Sequence, residues 1–136
     1  MSAERLVETP KEEVIPSLEE NEWILPTDIT LLQTAIKVFQ ETLRKAGWDK
    51  DSTEYDDAQN VFNELLTNAI AHGNLGVEKS SDSKESIYDI ALREQKRDPE
   101  KMKKKVYVNI KVNAHKLIIN IRDEGTGFDP DSVPNP

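Results

Sequence analysis

The 136-residue chain has no cysteine, few aromatic residues, five glycines and fewer bases than acids. Without cysteine there is no disulfide framework, and thiolate metal or redox chemistry is excluded. Eighteen Lys and Arg against 26 Asp and Glu leave a net charge of −8, which argues against generic binding to nucleic-acid phosphates. Apolar runs are only a few residues long, far short of the roughly 20 needed to cross a bilayer. The opening "MSAERLVETPKEEV" lacks the basic region and apolar block of a secretory signal. These absences set the expectation of a cytoplasmic protein that engages neither membrane nor nucleic acid.

Apolar residues make up 36% of the chain, enough for the modest core of one domain. Charge is distributed unevenly. Residues 1–26 carry seven acids and two bases, a net of −5. Residues 93–105, "REQKRDPEKMKKK", carry seven bases and three acids, a net of +4. That basic run reads either as a docking patch for an acidic partner or a phosphate, or as solvated surface, the commoner case.

Residues 1–20 hold two prolines, many acids and no sustained periodicity, and are expected to form a flexible arm or a segment that orders on a partner. The domain is then expected over 21–136. "EWIL", Glu22 to Leu25, predicts a first strand closed by Pro26. Thr27 or Asp28 can cap a helix whose stripe is Leu32, Ala35, Ile36, Phe39, Leu43 and Ala46, with Gly47 as its left-handed end. After the polar turn "WDKDSTEYDD" a second helix is expected over about Asp57 to Ala71. Its apolar arc is Ala58, Val61, Phe62, Leu65, Leu66, Ala69 and Ile70. A third helix is possible through "SIYDIALREQ", stopped before Pro99. In "VYVNIKV" and "LIINIR" the alternation of Val106, Val108, Ile110, Val112 and of Leu117, Ile119, Ile121 predicts an antiparallel hairpin with one buried face.

Two places carry chemistry. At about 100° per residue, Glu64, Asn68 and His72 share one side of the second helix, beside its apolar arc. A carboxylate and a carboxamide one turn apart suit Mg²⁺, which prefers oxygen ligands, retains waters and is commonly shared with phosphates. Glu64 could orient a water or accept a proton from an attacking hydroxyl. Taken alone, both are equally ordinary exposed helix residues. His72 reads as a metal ligand or as a helix-end residue bonded to backbone, and no second His or Cys completes a zinc set. The second place is "IRDEGTGFDP", where Asp123 ends a strand and a glycine loop begins. Such an Asp can accept a hydrogen bond from an exocyclic amine, and Gly125 and Gly127 let a flat ring approach the backbone. A calcium loop fails here because Gly125 and Gly127 offer no side-chain oxygen. A dinucleotide fingerprint fails because no helix follows. A plain glycine turn remains the competing reading.

In combination, "NELLTNAIAHGN" resembles the N-box and "DEGTGF" the first glycine box of the GHKL ATPases, in the expected order and on the expected elements. Within that superfamily the chain is most similar to the anti-sigma-factor serine/threonine kinases, RsbW-like regulators, over about Glu22 to Pro136. The resemblance implies an α/β (α+β) two-layer sandwich, with a mixed, mostly antiparallel sheet and helices on one face. It implies ATP and Mg²⁺ as ligands and transfer of the γ-phosphate to a Ser or Thr of an antagonist protein, with a sigma factor as second partner. By position, Glu64 matches the general base, Asn68 the Mg²⁺ ligand, and Asp123 the residue that reads the adenine amine. Gly125 and Gly127 match the glycines that admit the base, and His72 and Gly73 match the end of the N-box.

The family pattern continues with an ATP lid and a second glycine-rich box, which hold phosphates through backbone amides. No such segment follows "DPDSVPNP" here. The expectation is therefore a fragment or a naturally shortened regulator, with a sheet edge left unpaired and a tendency to self-associate, for example as a homodimer. A non-catalytic protein-binding module that keeps the fold is the alternative. The ATPase half of a histidine kinase is disfavoured, since no phosphoacceptor helix pair precedes the domain.

Overall fold

A computed structural model of the chain describes residues 17–80 and 82–125, together with the backbone of residues 2–8. Four strands make an antiparallel sheet: β1 (Ser2–Glu8), β2 (Glu19–Pro26), β3 (Lys105–Val112) and β4 (Lys116–Arg122), in the order β1-β4-β3-β2. The predicted hairpin is its centre. Val108 pairs with Ile121, Ile110 with Ile119 and Val112 with Leu117, and all six are buried on the inner face. Asn113 shapes the turn by accepting from the His115 and Lys116 amides, each at 2.7 Å.

Against that face lie α1 (Leu32–Lys45) and α2 (Thr53–Thr67). The α1 stripe buries Leu32, Ala35, Ile36, Phe39 and Leu43, and Gly47 closes the helix at φ +100°. Phe39 stacks on Phe62 of α2, with centroids 4.2 Å apart and rings 4° from parallel, and Trp23 of β2 meets Phe62 edge-on. This aromatic contact ties both helices to the sheet and makes the architecture a two-layer α+β sandwich, as the sequence implied. Among the described residues no helix is long and apolar enough to cross a membrane.

Four local expectations change. Ser2–Glu8, read as part of a flexible arm, is an edge strand paired along β4. Arg5 stands at the register position opposite buried Ile119, so the alternation that announces a strand is broken in its middle. Helix α2 begins at Thr53, capped by the Ser52 hydroxyl, four residues earlier than expected. The turn read as polar also contributes Trp48 and Tyr55 to the core; the Trp48 indole donates to the Asn113 carbonyl at 2.7 Å. Asp28 caps a short 3-10 turn, Ile29–Leu31, that leads into α1, whereas Thr27 is fully buried and bonds to the Lys104 carbonyl.

The third helix, α3 (Ile87–Arg97), forms and ends before Pro99. Its anchor is Gln95, a buried polar residue that accepts from the Ile29 amide at 2.9 Å and donates to Asp28 at 2.8 Å. Gln95→Ala would leave a buried amide without its acceptor. Its unfolding free energy in urea is expected to fall by about 1–3 kcal/mol. An unchanged midpoint would show that α3 is not docked through this contact.

The basic run around α3 is mostly spent locally. Arg93 pairs with Glu85, Arg97 and Lys101 with Glu94, and Lys103 with Glu100. Four of the seven bases thus face acids within or just before the same segment, which favours the solvated-surface reading.

Candidate functional site

The site is built on the C-terminal end of α2. The helix does not stop at Thr67 but changes pitch, continuing as a π-helical wind over Asn68–Asn74. The Leu75 amide accordingly reaches back to the Ile70 carbonyl at 2.9 Å. Such winds are rare and occur frequently at functional sites. Here the wider turn buries Ala69, Ile70, Ala71, Gly73 and Asn74 together, more of its circumference than an α-helical stripe would.

Glu64 and Asn68 remain one α-turn apart, joined by the bond from the Asn68 amide to the Glu64 carbonyl, and both side chains are exposed. His72 departs from the expected line. A π wind advances fewer degrees per residue, so four residues beyond Asn68 do not complete a turn. The exposed imidazole Nδ1 instead pairs with the Val77 carbonyl at 2.7 Å, the backbone-bonded alternative for a helix-end histidine.

Gly73 and the end of β4 are pressed together. Asp123 is buried, and a Cβ placed on Gly73 would lie 2.2 Å from its Oδ2. A Cβ on Gly125 would lie 1.9 Å from the Gly73 carbonyl oxygen. Asp123 Oδ1 accepts from the Gly125 amide at 2.9 Å, which folds the chain back over its own carboxylate. The N-box and the first glycine box, 50 residues apart in sequence, therefore meet through two glycines and one acid. Gly127 lies outside the described residues.

From Glu64 to Gly73 the helix covers at most about 13 Å along its axis, at a rise of about 1.5 Å per residue. One continuous element thus presents a carboxylate and a carboxamide at one end and the Asp123 contact at the other. Among the described residues no three His, Cys, Asp or Glu side chains gather as a metal cage. Any cation at Asn68 would take its remaining ligands from water and from the bound molecule.

Residues the sequence reading passed over hold this arrangement in place. Buried Asn74, the last residue of "HGN", bonds to Thr27, Lys105 and Glu124. Lys101 donates to the Leu75 carbonyl at 2.8 Å and to Glu94 at 2.6 Å, fastening the end of the wind to α3. Hydrogen bonds from Arg97 and Lys101 hold the Glu94 carboxyl down to about 2. Glu124, next to Asp123, accepts from the Lys105 amide and the Tyr107 hydroxyl. The first of these contributes most to keeping its carboxyl below the usual range. A polar residue directly after a glycine, at the end of an apolar helix, was the available signal for Asn74; Lys101 had none. A separate pocket of about 500 Å³ lies on the outer face of the sheet, lined by Glu22, Asn109, Arg122 and Tyr107, the last of which bonds to Glu124.

In a comparison with known families, the family described as the histidine kinase-like ATPase domain matches residues 25–136. No curated protein and no solved structure matches the chain.

Proposed function

The chain belongs to the histidine kinase-like ATPase family, and on that premise we propose that it binds ATP with Mg²⁺ and phosphorylates a Ser or Thr of an antagonist protein. The observation behind this reading is the contact of Gly73, Asp123 and Gly125, which only glycine permits: a Cβ on Gly73 would collide with the Asp123 carboxylate, and one on Gly125 with the Gly73 backbone. A buried carboxylate backed by two glycines suits the exocyclic amine and flat face of adenine.

When bound, ATP supplies the γ-phosphoryl group, and its Mg²⁺ offsets the phosphate charge. Asp123 would accept the base's amine, and Gly73 and Gly125, having no side chains, let the two motifs close around its carboxylate. Asn68 would offer its amide oxygen to the metal. Glu64, exposed one turn away, is free to accept the proton of a partner's hydroxyl through its carboxylate. The partner in this reading is an anti-sigma-factor antagonist or a sigma factor, suggested only by the resemblance to the anti-sigma-factor kinases.

Calorimetric titration with ATP, with and without Mg²⁺, tests the site. Asp123→Asn is expected to weaken ATP about 10–100-fold, the loss typical of one charge-assisted hydrogen bond. Asn68→Ala should remove the Mg²⁺ dependence of binding. Affinity that survives both changes would remove these residues from the site. Wild-type protein that ignores millimolar ATP would favour a protein-binding role without catalysis.

A further inference from the structure

We infer that Asn74 is a positioning residue for adenine recognition, one that sets the Asp123 carboxylate by holding the backbone immediately after it. The inference deepens the ATP reading and rests on it.

Asn74 is 1% exposed and makes three hydrogen bonds to three separate segments. Its Oδ1 accepts from the Glu124 amide at 2.8 Å. Its Nδ2 donates to the Thr27 hydroxyl at 2.8 Å and to the Lys105 carbonyl at 3.0 Å. Thr27 passes the link on, donating to the Lys104 carbonyl at 2.6 Å. The end of β2, the start of β3 and the end of β4 therefore converge on one carboxamide.

The chemistry of the partners explains the residue type. The Glu124 amide can only donate, and the Lys105 carbonyl can only accept. The side chain between them must do both, which a carboxamide does and a carboxylate or an aliphatic group does not. Gln would carry the same groups one methylene too far into a packed interior.

Placement makes the contact more than a structural brace. Gly73 and Asn74 are consecutive in the π wind. Gly73 abuts Asp123 and Gly125, while Asn74 grips the amide of Glu124 between them. Asp123 to Gly125 is thus held by two adjacent residues of the N-box, which fixes the backbone that carries the Asp123 side chain. Without the grip on Glu124, the loop keeps its composition but loses its register against Gly73.

The test compares ATP with inosine triphosphate, in which a carbonyl replaces the exocyclic amine, in wild type, Asn74→Ala and Asn74→Asp. Wild type is expected to prefer ATP by about 10-fold or more. Asn74→Ala should bring that ratio close to one, and Asn74→Asp, whose buried carboxyl in its protonated form accepts from Glu124 and donates to the Lys105 carbonyl, should retain most of it. In the ligand-free protein, amide exchange at Glu124 should accelerate about 10-fold or more in Asn74→Ala and stay slow in Asn74→Asp. If the alanine variant does not fold, the aspartate variant decides, and fast Glu124 exchange in it overturns the proposal. Folded Asn74→Ala with unchanged Glu124 exchange and an unchanged nucleotide ratio also overturns it, since a mere brace would lower stability and leave selectivity alone. Wild type that does not distinguish the two nucleotides defeats the adenine reading itself, whatever exchange at Glu124 shows.

Discussion

Gly125→Ala is expected to weaken ATP binding about 100-fold or more and to lower the unfolding free energy by about 1–3 kcal/mol. The added methyl carbon would fall 1.9 Å from the Gly73 carbonyl oxygen and 2.4 Å from its carbonyl carbon. Both are backbone atoms of a buried, hydrogen-bonded wind, so no rotamer change relieves the overlap. The strand end must move off the N-box, taking Asp123 with it. Gly73→Ala makes an informative contrast. Its methyl would meet the Asp123 carboxylate, at 2.2 Å, and a carboxylate can rotate away where a backbone cannot. That variant should retain more stability yet bind ATP poorly, because the rotated group is the one that reads the base. Thermal unfolding and calorimetric titration of the two proteins together check the reasoning. Wild-type stability and affinity in Gly125→Ala would mean that the two boxes do not touch as described.

Glu64→Ala should reduce phosphate transfer to a partner protein about 10²–10⁴-fold, the usual contribution of a positioned general base. ATP affinity should stay within about threefold of wild type, because Glu64 is exposed and supports no packing. For the same reason its stability should change by no more than about 0.5 kcal/mol. Single-turnover transfer, with binding measured in parallel, separates the two effects. Equal transfer rates would remove Glu64 from the role of base. A parallel loss of binding would place it among the groups that hold the nucleotide.

The elements that lie on strong periodic patterns were legible as sequence. The α1 stripe and the alternation in β3 and β4 predict the layers correctly because a residue's face follows from its position once the period is set. Where several local rules compete, sequence periodicity misplaces an element's start. Ser52 rather than Asp57 opens α2, since a hydroxyl cap followed by acids in the first turn outweighs the missing apolar periodicity of "TEYDD". Strand β1 was hidden because Arg5 interrupts its alternation, and pairing with β4 supplies backbone hydrogen bonds that composition does not record. That Asp123 and Gly125 meet Gly73 agrees with their being singled out from sequence, but the position of His72 could not be read there. Its placement depends on a change of helical pitch, from α to π, that no periodicity assuming 100° per residue anticipates.

Residue order alone thus settles the two-layer fold and the identity of the two motifs, because amphipathic period and glycine placement are properties of short segments. How the motifs meet is a property of the folded chain. Gly73 touches Asp123 only because α2 packs along a sheet whose fourth strand ends at that point. Asn74 acquires its role only when Thr27, Lys105 and Glu124, from three distant segments, arrive around one carboxamide. A buried carboxamide must satisfy its donors and its acceptor at once, and partners so far apart in sequence can be supplied only by tertiary packing.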